Sequence, residues 1–233
     1  LRERPCDLTL GAMSLTIVTG GNRGIGLALC RALKNRGAHV LATCRKTSPA
    51  LDDLGVEVAA GIDVTDPLSA ARLADAVAGR GVELLINNAG ILAWGDTLEA
   101  PKFDDMTRQF EANAVGPIRI TSALRSQLGN GSKIAFITSR MGSVADNGSG
   151  GAYGYRMSKA ALNIAAVSVA QDLKDDGVAV AILHPGMVKT DMIGGRGQIE
   201  PEDAASGLLA RIDELTLETS GGFWHQNGER LPW

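Results

Sequence analysis

The sequence predicts a single α/β domain: a doubly wound parallel sheet of about seven strands, flanked by helices on both faces. Three observations carry this prediction. Short apolar runs rich in Val, Ile and Leu alternate with longer amphipathic stretches, the rhythm of strands buried on both faces and the helices that cross between them. A glycine cluster stands where the first apolar run gives way to the first helix. No repeat, low-complexity tract or linker divides the 233 residues, a length suited to one domain with a full core.

Taken in order, Leu15 to Thr19 reads as the first strand and Gly24 to Arg36 as the first helix. Strands follow at Val40 to Ala42 and Val56 to Ala60, a helix at Pro67 to Ala78, and a strand at Glu83 to Asn87. The long stretch Pro101 to Leu128 reads as one helix, Lys133 to Thr138 as a strand, Gly151 to Asp175 as a second long helix and Val178 to His184 as the sixth strand. Phe223-Trp224 before the turn-forming pair Asn227-Gly228 supplies a last edge to the sheet. Crossovers between parallel strands are expected to be right-handed. The domain is expected over 13–233, with 1–12 an N-terminal tail. That tail carries charges and Pro5 without a long apolar stretch, so it reads as neither signal peptide nor membrane span, and Met13 is a candidate natural start.

Composition narrows the partners. Lys and Arg number 23 against 26 Asp and Glu, a formal charge of -3, and no basic run is concentrated enough to point to a nucleic acid or an anionic membrane. Cys6, Cys30 and Cys44 are odd in number and have no metal-ligand spacing with the three histidines. Reduced thiols in a cytoplasmic protein are the economical reading, with Cys30 and Cys44 as small core residues and no metal.

The segment Thr19-Gly20-Gly21-Asn22-Arg23-Gly24-Ile25-Gly26 has the strand before it and the helix after it that a phosphate-binding turn requires. Glycines let the backbone approach a pyrophosphate, and the helix N-terminus offers unpaired N–H groups. A site for NAD(H) usually places a carboxylate at the end of the second strand to hold the ribose hydroxyls. From Gly37 to Leu51 there is neither Asp nor Glu. Arg45, with Arg23 and Lys46, suits a 2'-phosphate instead, so NADP(H) is expected in preference to NAD(H).

Tyr155 and Lys159 are four residues apart and fall on one face of a helix. A free tyrosine, with a pKa of about 10, is a poor base near neutrality, but a neighbouring ammonium can lower that value. The pair could move protons. The same spacing also suits an ordinary solvated helix face.

With these motifs in order, the chain resembles the short-chain dehydrogenase/reductase family, which has a Rossmann-like fold, over nearly its whole length. The resemblance rests on the Thr19 to Gly26 loop, Asp63-Val64, Asn87-Asn88-Ala89-Gly90, Asn113, Ser139, Tyr155 with Lys159, and Pro185-Gly186-Met187-Val188-Lys189-Thr190. Within the family it is most similar to C-factor and sniffer-type carbonyl reductases, through Gly151 to Arg156 and the ending Gly221 to Trp233. The resemblance implies that Tyr155 is the general acid toward a carbonyl oxygen and that Lys159 lowers its pKa and holds the nicotinamide ribose. Ser139 would donate to the same oxygen, with Ser143 a minor competitor, and Asn113 would hold a water between Lys159 and solvent. Asp63 and Val64 would meet adenine, Asn88, Ala89 and Gly90 would line the cofactor, and Pro185, Gly186, Val188 and Thr190 would surround the nicotinamide.

Substrate is expected beyond the carboxyl ends of the strands, near the loops after Ser139 and Gly186. Trp94, Met141, Tyr153, Met187 and Met192 are candidate apolar walls. Between Thr190 and Pro201 there are few residues to build a lid: Gly194-Gly195-Arg196-Gly197 is expected to be mobile unless ligand orders it, and the site to be open to bulky or planar carbonyls. Three functions stay open: NADPH-dependent reduction of a ketone, aldehyde or quinone, oxidation of an alcohol by the same groups, and a nucleotide-binding signalling role. A homo-oligomer, dimer or tetramer, is expected from the family's habit of packing the two long helices on a symmetry mate.

Overall fold

A computed structural model describes residues 14–233. The expectations for the tail, Cys6 and the start at Met13 lie outside the described residues. The strands are β1 (Leu15–Thr19), β2 (His39–Cys44), β3 (Glu57–Ala60), β4 (Val82–Asn87), β5 (Lys133–Ile137), β6 (Ala179–His184) and β7 (Phe223–His225). The helices are α1 (Gly24–Asn35), α2 (Pro49–Asp52), α3 (Pro67–Val77), α4 (Phe103–Phe110), α5 (Gly116–Ala123), α6 (Tyr153–Asp172) and α7 (Pro201–Asp213).

All seven strands join one parallel sheet in the order β3-β2-β1-β4-β5-β6-β7. The chain winds outward from β1 to β3, then returns to β4 on the other side of β1. Ligand clefts open at such a reversal, above the carboxyl ends of the strands.

Alternation along each strand feeds two cores. Ile17, Leu41, Leu85 and Phe136 face one side of the sheet and pack with Leu73 of α3, Ile120 of α5, and Leu162 and Ala166 of α6. Val18, Ala42, Ile86 and Leu183 face the other side and pack with Leu29 and Leu33 of α1 and with Leu208, Leu209 and Ile212 of α7. Leu162 and Ala166 therefore belong to the sheet face of α6. Cys30 and Cys44 are buried free thiols, as expected of small core residues. Among the described residues, no helix is long and apolar enough to cross a membrane.

Two elements differ from the sequence reading. The stretch 101–128 is not one helix: α4 runs into a π-helical turn at Glu111–Val115, then α5, then a 3₁₀ turn at Arg125–Gln127. Pro117 explains the break, because it has no N–H to give to the carbonyl of Asn113 four residues earlier and its ring crowds that carbonyl. The sequence reading also passed over α7, although Pro201 at its first turn, Glu202 and Asp203 behind it, and buried Leu208, Leu209 and Ile212 are ordinary helix signals. Past β7, Trp224 bridges antiparallel to Arg230, which closes the expected turn at Asn227-Gly228.

Candidate active site

A cleft of about 1100 Å³ runs across the carboxyl ends of β1, β2, β4 and β5. At one end are Gly20, Asn22, Arg23, Gly24, Ile25 and Gly26 with Thr43, Cys44, Arg45 and Lys46. At the other are Asn88, Ala89, Gly90, Tyr155, Lys159, Pro185 and Thr190, and Asp63 and Val64 line the space between. The cleft thus unites motifs spread over 170 residues of sequence.

The glycine-rich turn is held from three sides. Thr19 accepts through its hydroxyl from the N–H groups of Asn88 and Ala89, each at 3.0 Å, and the Asn88 amide donates to the Thr19 carbonyl at 3.0 Å. Asn88 therefore braces this turn as well as lining the cleft. A Cβ on Gly26 would collide with the Gly20 carbonyl, so only glycine lets α1 begin so close to the turn. Asn22 donates to the Lys46 carbonyl at 3.0 Å, and Ser48 donates to the Asn22 carbonyl at 2.7 Å, which ties the turn to the basic end of β2.

That end carries Arg45 and Lys46, both exposed, and no carboxylate stands beside them among the residues lining this part of the cleft. Arg23 lies 3.7 Å from the Asp191 carboxylate across the mouth. Asp63 accepts from the Thr65 N–H at 2.9 Å and from its hydroxyl at 2.8 Å, a local turn that stands in the cleft wall.

At the far end, α6 carries Tyr155 and Lys159. The Lys159 ammonium donates to the Ile137 carbonyl at 2.9 Å and lies 5.9 Å from the centroid of the Tyr155 ring. Burial draws Lys159 down to about 8. Tyr155 keeps part of its surface open, yet burial of the rest pushes its phenol up to about 12 against the opposing pull of the Ser139 hydroxyl. In the protein alone, desolvation acts on both groups and disfavours both charges.

Ser139 is buried at the end of β5 and accepts from the Met141 N–H at 3.2 Å, capping the 3₁₀ turn Arg140–Gly142. That bond uses one lone pair of the hydroxyl, whose O–H can still donate. Ser143 instead accepts from the Asp146 N–H at 3.1 Å. Burial draws His184 down to about 3, and its ring meets His225 edge-on at 5.0 Å.

Asn113 is fully buried in the π-helical turn. Its side chain accepts from the Ile91 N–H at 2.8 Å and donates to the Ile91 carbonyl at 2.8 Å and to the Ser158 hydroxyl at 3.0 Å. It pins the loop after β4 to α6.

Several expected contacts are not brought together. Gly186 and Val188 do not line the cleft: the Val188 side chain is buried, and its backbone pairs with Ile199. Of the five candidate substrate walls only Met192 reaches the cleft, while Trp94 and Met187 stand about half exposed outside it and Met141 and Tyr153 are partly buried elsewhere. The stretch 191–200 is not free chain. A 3₁₀ turn at Asp191–Ile193 opens it, and bonds from Gln198 N–H to the Met187 carbonyl at 2.6 Å and from Lys189 N–H to the Ile199 carbonyl at 2.9 Å fold it back. Thr107, Arg108 and Glu111 also line the cleft, and the sequence reading missed them. Thr107 and Arg108 come from α4 and Glu111 from the π-helical turn that follows it.

The family profile described as short chain dehydrogenase matches residues 14–200. The 1-hydroxy-2-glutathionyl-2-methyl-3-butene dehydrogenase of Rhodococcus sp. (strain AD45) is 42% identical over 227 residues, covering 95% of this chain and 100% of that protein. The C-signal of Myxococcus xanthus is 46% identical over 154 residues, 65% of this chain and 93% of that one. Among solved structures, the carbonyl reductase Sniffer of D. melanogaster superimposes with a TM-score of 0.87 at 31% identity, over 95% of this chain and 99% of that one. The NADPH-bound carbonyl reductase from chicken fatty liver gives 0.84 at 30% identity, over 95% and 99%. By its glycine-rich turn, its Tyr155 and Lys159 pair, its sheet order and this matched span, the chain belongs to the short-chain dehydrogenase family.

Proposed function

We propose that the protein reduces a ketone, aldehyde or quinone with NADPH, Tyr155 giving the proton. The observation that carries this reading is the placement of Tyr155, with Lys159 and Ser139 beside it, at the end of a cleft whose opposite end is basic. A protonated acid is what reduction needs and what oxidation must first remove.

The residues fit the cofactor. The turn at Gly20 to Gly26 suits a pyrophosphate, Asp63 and Val64 suit adenine, and Arg45 with Lys46 and Arg23 suits a 2'-phosphate that NAD(H) lacks. Ala89, Gly90, Pro185 and Thr190 would flank the nicotinamide. Kinship with an NADPH-bound carbonyl reductase supports the same choice. When bound, NADPH supplies the hydride that reaches the carbonyl carbon. The Tyr155 hydroxyl gives its proton to the carbonyl oxygen, the Ser139 O–H donates to the same oxygen as charge develops there, and Lys159 stands behind the phenol to stabilise the phenolate left behind. Asn113 holds the loop at Ile91 and helix α6 in register.

A second reading, oxidation of an alcohol, is supported by the end-to-end kinship with a dehydrogenase of a glutathionyl alcohol. It needs the phenolate as base, so initial rates in the two directions separate the readings. We also propose a cytoplasmic homo-oligomer, with a second copy on the outer faces of α4 and α6, where Phe103, Phe110, Met157 and Ile164 stand exposed. The functional test is initial-rate assay of a panel of ketones, aldehydes and quinones with NADPH and NADH, and of the matching alcohols with NADP⁺. Faster reduction than oxidation at pH 7, with NADPH preferred, is expected. Exclusive alcohol oxidation would replace this reading with the second.

A further inference from the structure

We propose that Asp96 and Gln109 are positioning residues for Tyr155, acting as a second clamp beside the one made by Asn113. This rests on the reading of Tyr155 as the proton donor. Helix α6 begins two residues before Tyr155, and its start is unusual. Ala152, the residue that should cap it, has a left-handed backbone with φ of 48° and gives no side-chain cap. The cap comes from far away in sequence: the Asp96 carboxylate accepts from the Gly154 N–H at 2.7 Å. Asp96 is 3% exposed, and its second oxygen has no protein partner.

Gln109 completes the arrangement from α4. It is 0% exposed, accepts from the Ala93 N–H at 2.9 Å, and its NH₂ group is also buried without a partner. That NH₂ would stand 2.5 Å from a Cβ built on Gly154, with the Met106 Cα at 2.9 Å. Glycine at 154 is therefore what lets α6 seat its first turn against Gln109. A spare donor on Gln109 and a spare acceptor on Asp96 thus belong to two residues that both bear on Gly154, the neighbour of Tyr155.

The spacing makes this a repeat of a clamp already described. Asn113 joins Ile91 to Ser158. Four residues earlier on the same helical run, Gln109 joins Ala93 to the wall around Gly154, itself four residues before Ser158. One clamp lies on either side of Tyr155 along α6. Both fasten α6 to the loop that leaves Asn88, Ala89 and Gly90 in the cleft wall, so they set where the phenol stands relative to that wall. Buried polar groups that cost stability when left unpaired, placed beside a reacting side chain, suit a positioning role better than a purely structural one.

The test compares Asp96→Ala, Asp96→Asn and Gln109→Met with wild type, using the fastest carbonyl of the panel and direct titration of NADPH. Asp96→Asn keeps an oxygen to accept from Gly154. Asp96→Ala is expected to lower kcat by roughly 10- to 100-fold with the NADPH Kd within about twofold, and Asp96→Asn to recover most of the loss. Should Asp96→Ala not fold, Gln109→Met, which keeps volume, is expected to lower kcat by about fivefold with the same split. A fall in thermal stability with kcat unchanged would overturn the inference, as would a kcat loss matched by an equal loss of NADPH affinity or no rescue by Asp96→Asn. Tyr155→Phe, measured alongside, separates the two levels: its inactivity with normal Asp96 variants overturns this inference alone, and its full activity overturns both.

Discussion

The Lys159 ammonium stands 5.9 Å from the centroid of the Tyr155 ring while donating to the Ile137 carbonyl, so the two groups are neighbours without sharing a hydrogen bond. Their helical spacing brings them together, and burial then shifts both toward neutrality, the phenol up to about 12 and the ammonium down to about 8. This is an arrangement for giving a proton. The phenol is loaded at neutral pH, and the cation that will stabilise its anion is already at hand.

Replacing Lys159 exposes the cost of that arrangement. Between its ordinary value and about 8, the folded protein holds fewer protons on Lys159 than the unfolded chain. The stability penalty is therefore full below pH 8 and fades as pH rises from there toward the ordinary lysine value. Allowing for the lost bond to Ile137, Lys159→Met is expected to stabilise the cofactor-free protein by about 2 kcal/mol at pH 7 while abolishing turnover. Denaturant titrations at pH 7 and pH 10 check this: the gain should shrink at the higher pH. The wild-type reduction rate should also fall above about pH 8 as Lys159 loses its charge.

Arg45 sets cofactor choice in this account. Arg45→Asp removes the cation suited to a 2'-phosphate and supplies the carboxylate that ribose hydroxyls favour. The NADPH Kd is expected to rise by about 10- to 100-fold and the NADH Kd to fall or hold. Titration of both cofactors by fluorescence measures the swing.

Asn113 contributes through the backbone it holds. Asn113→Ala leaves the N–H and carbonyl of Ile91 and the Ser158 hydroxyl without this partner inside the protein. A loss of about 2–4 kcal/mol is expected, with a fall in kcat. Urea unfolding of wild type and variant gives the first quantity and initial rates the second.

Much of this was legible in the sequence, for identifiable reasons. The glycine-rich turn, the carboxylate-free end of β2 and the Tyr155 and Lys159 pair are local patterns, and each lines the cleft where expected. What escaped depended on long-range placement. Asp96 is one acidic residue in a loop until the fold sets it against Gly154, 58 positions away. The Val188 side chain turns into the core because the chain folds back to pair with Ile199, which motif order cannot reveal. The π-helical turn at Asn113 was within reach, since Pro117 four residues later signals an interrupted helix. The raised phenol was not, because opposing effects of burial and charge are decided by depth.

The most direct test is NADPH oxidation, followed by absorbance at pH 7, with the best carbonyl of the panel for wild type and Tyr155→Phe. The variant keeps the ring and loses only the proton that is to be given. In Tyr155→Phe, kcat is expected to fall by about 10³-fold or more with NADPH binding retained. A Tyr155→Phe protein that reduces the carbonyl at the wild-type rate would contradict it.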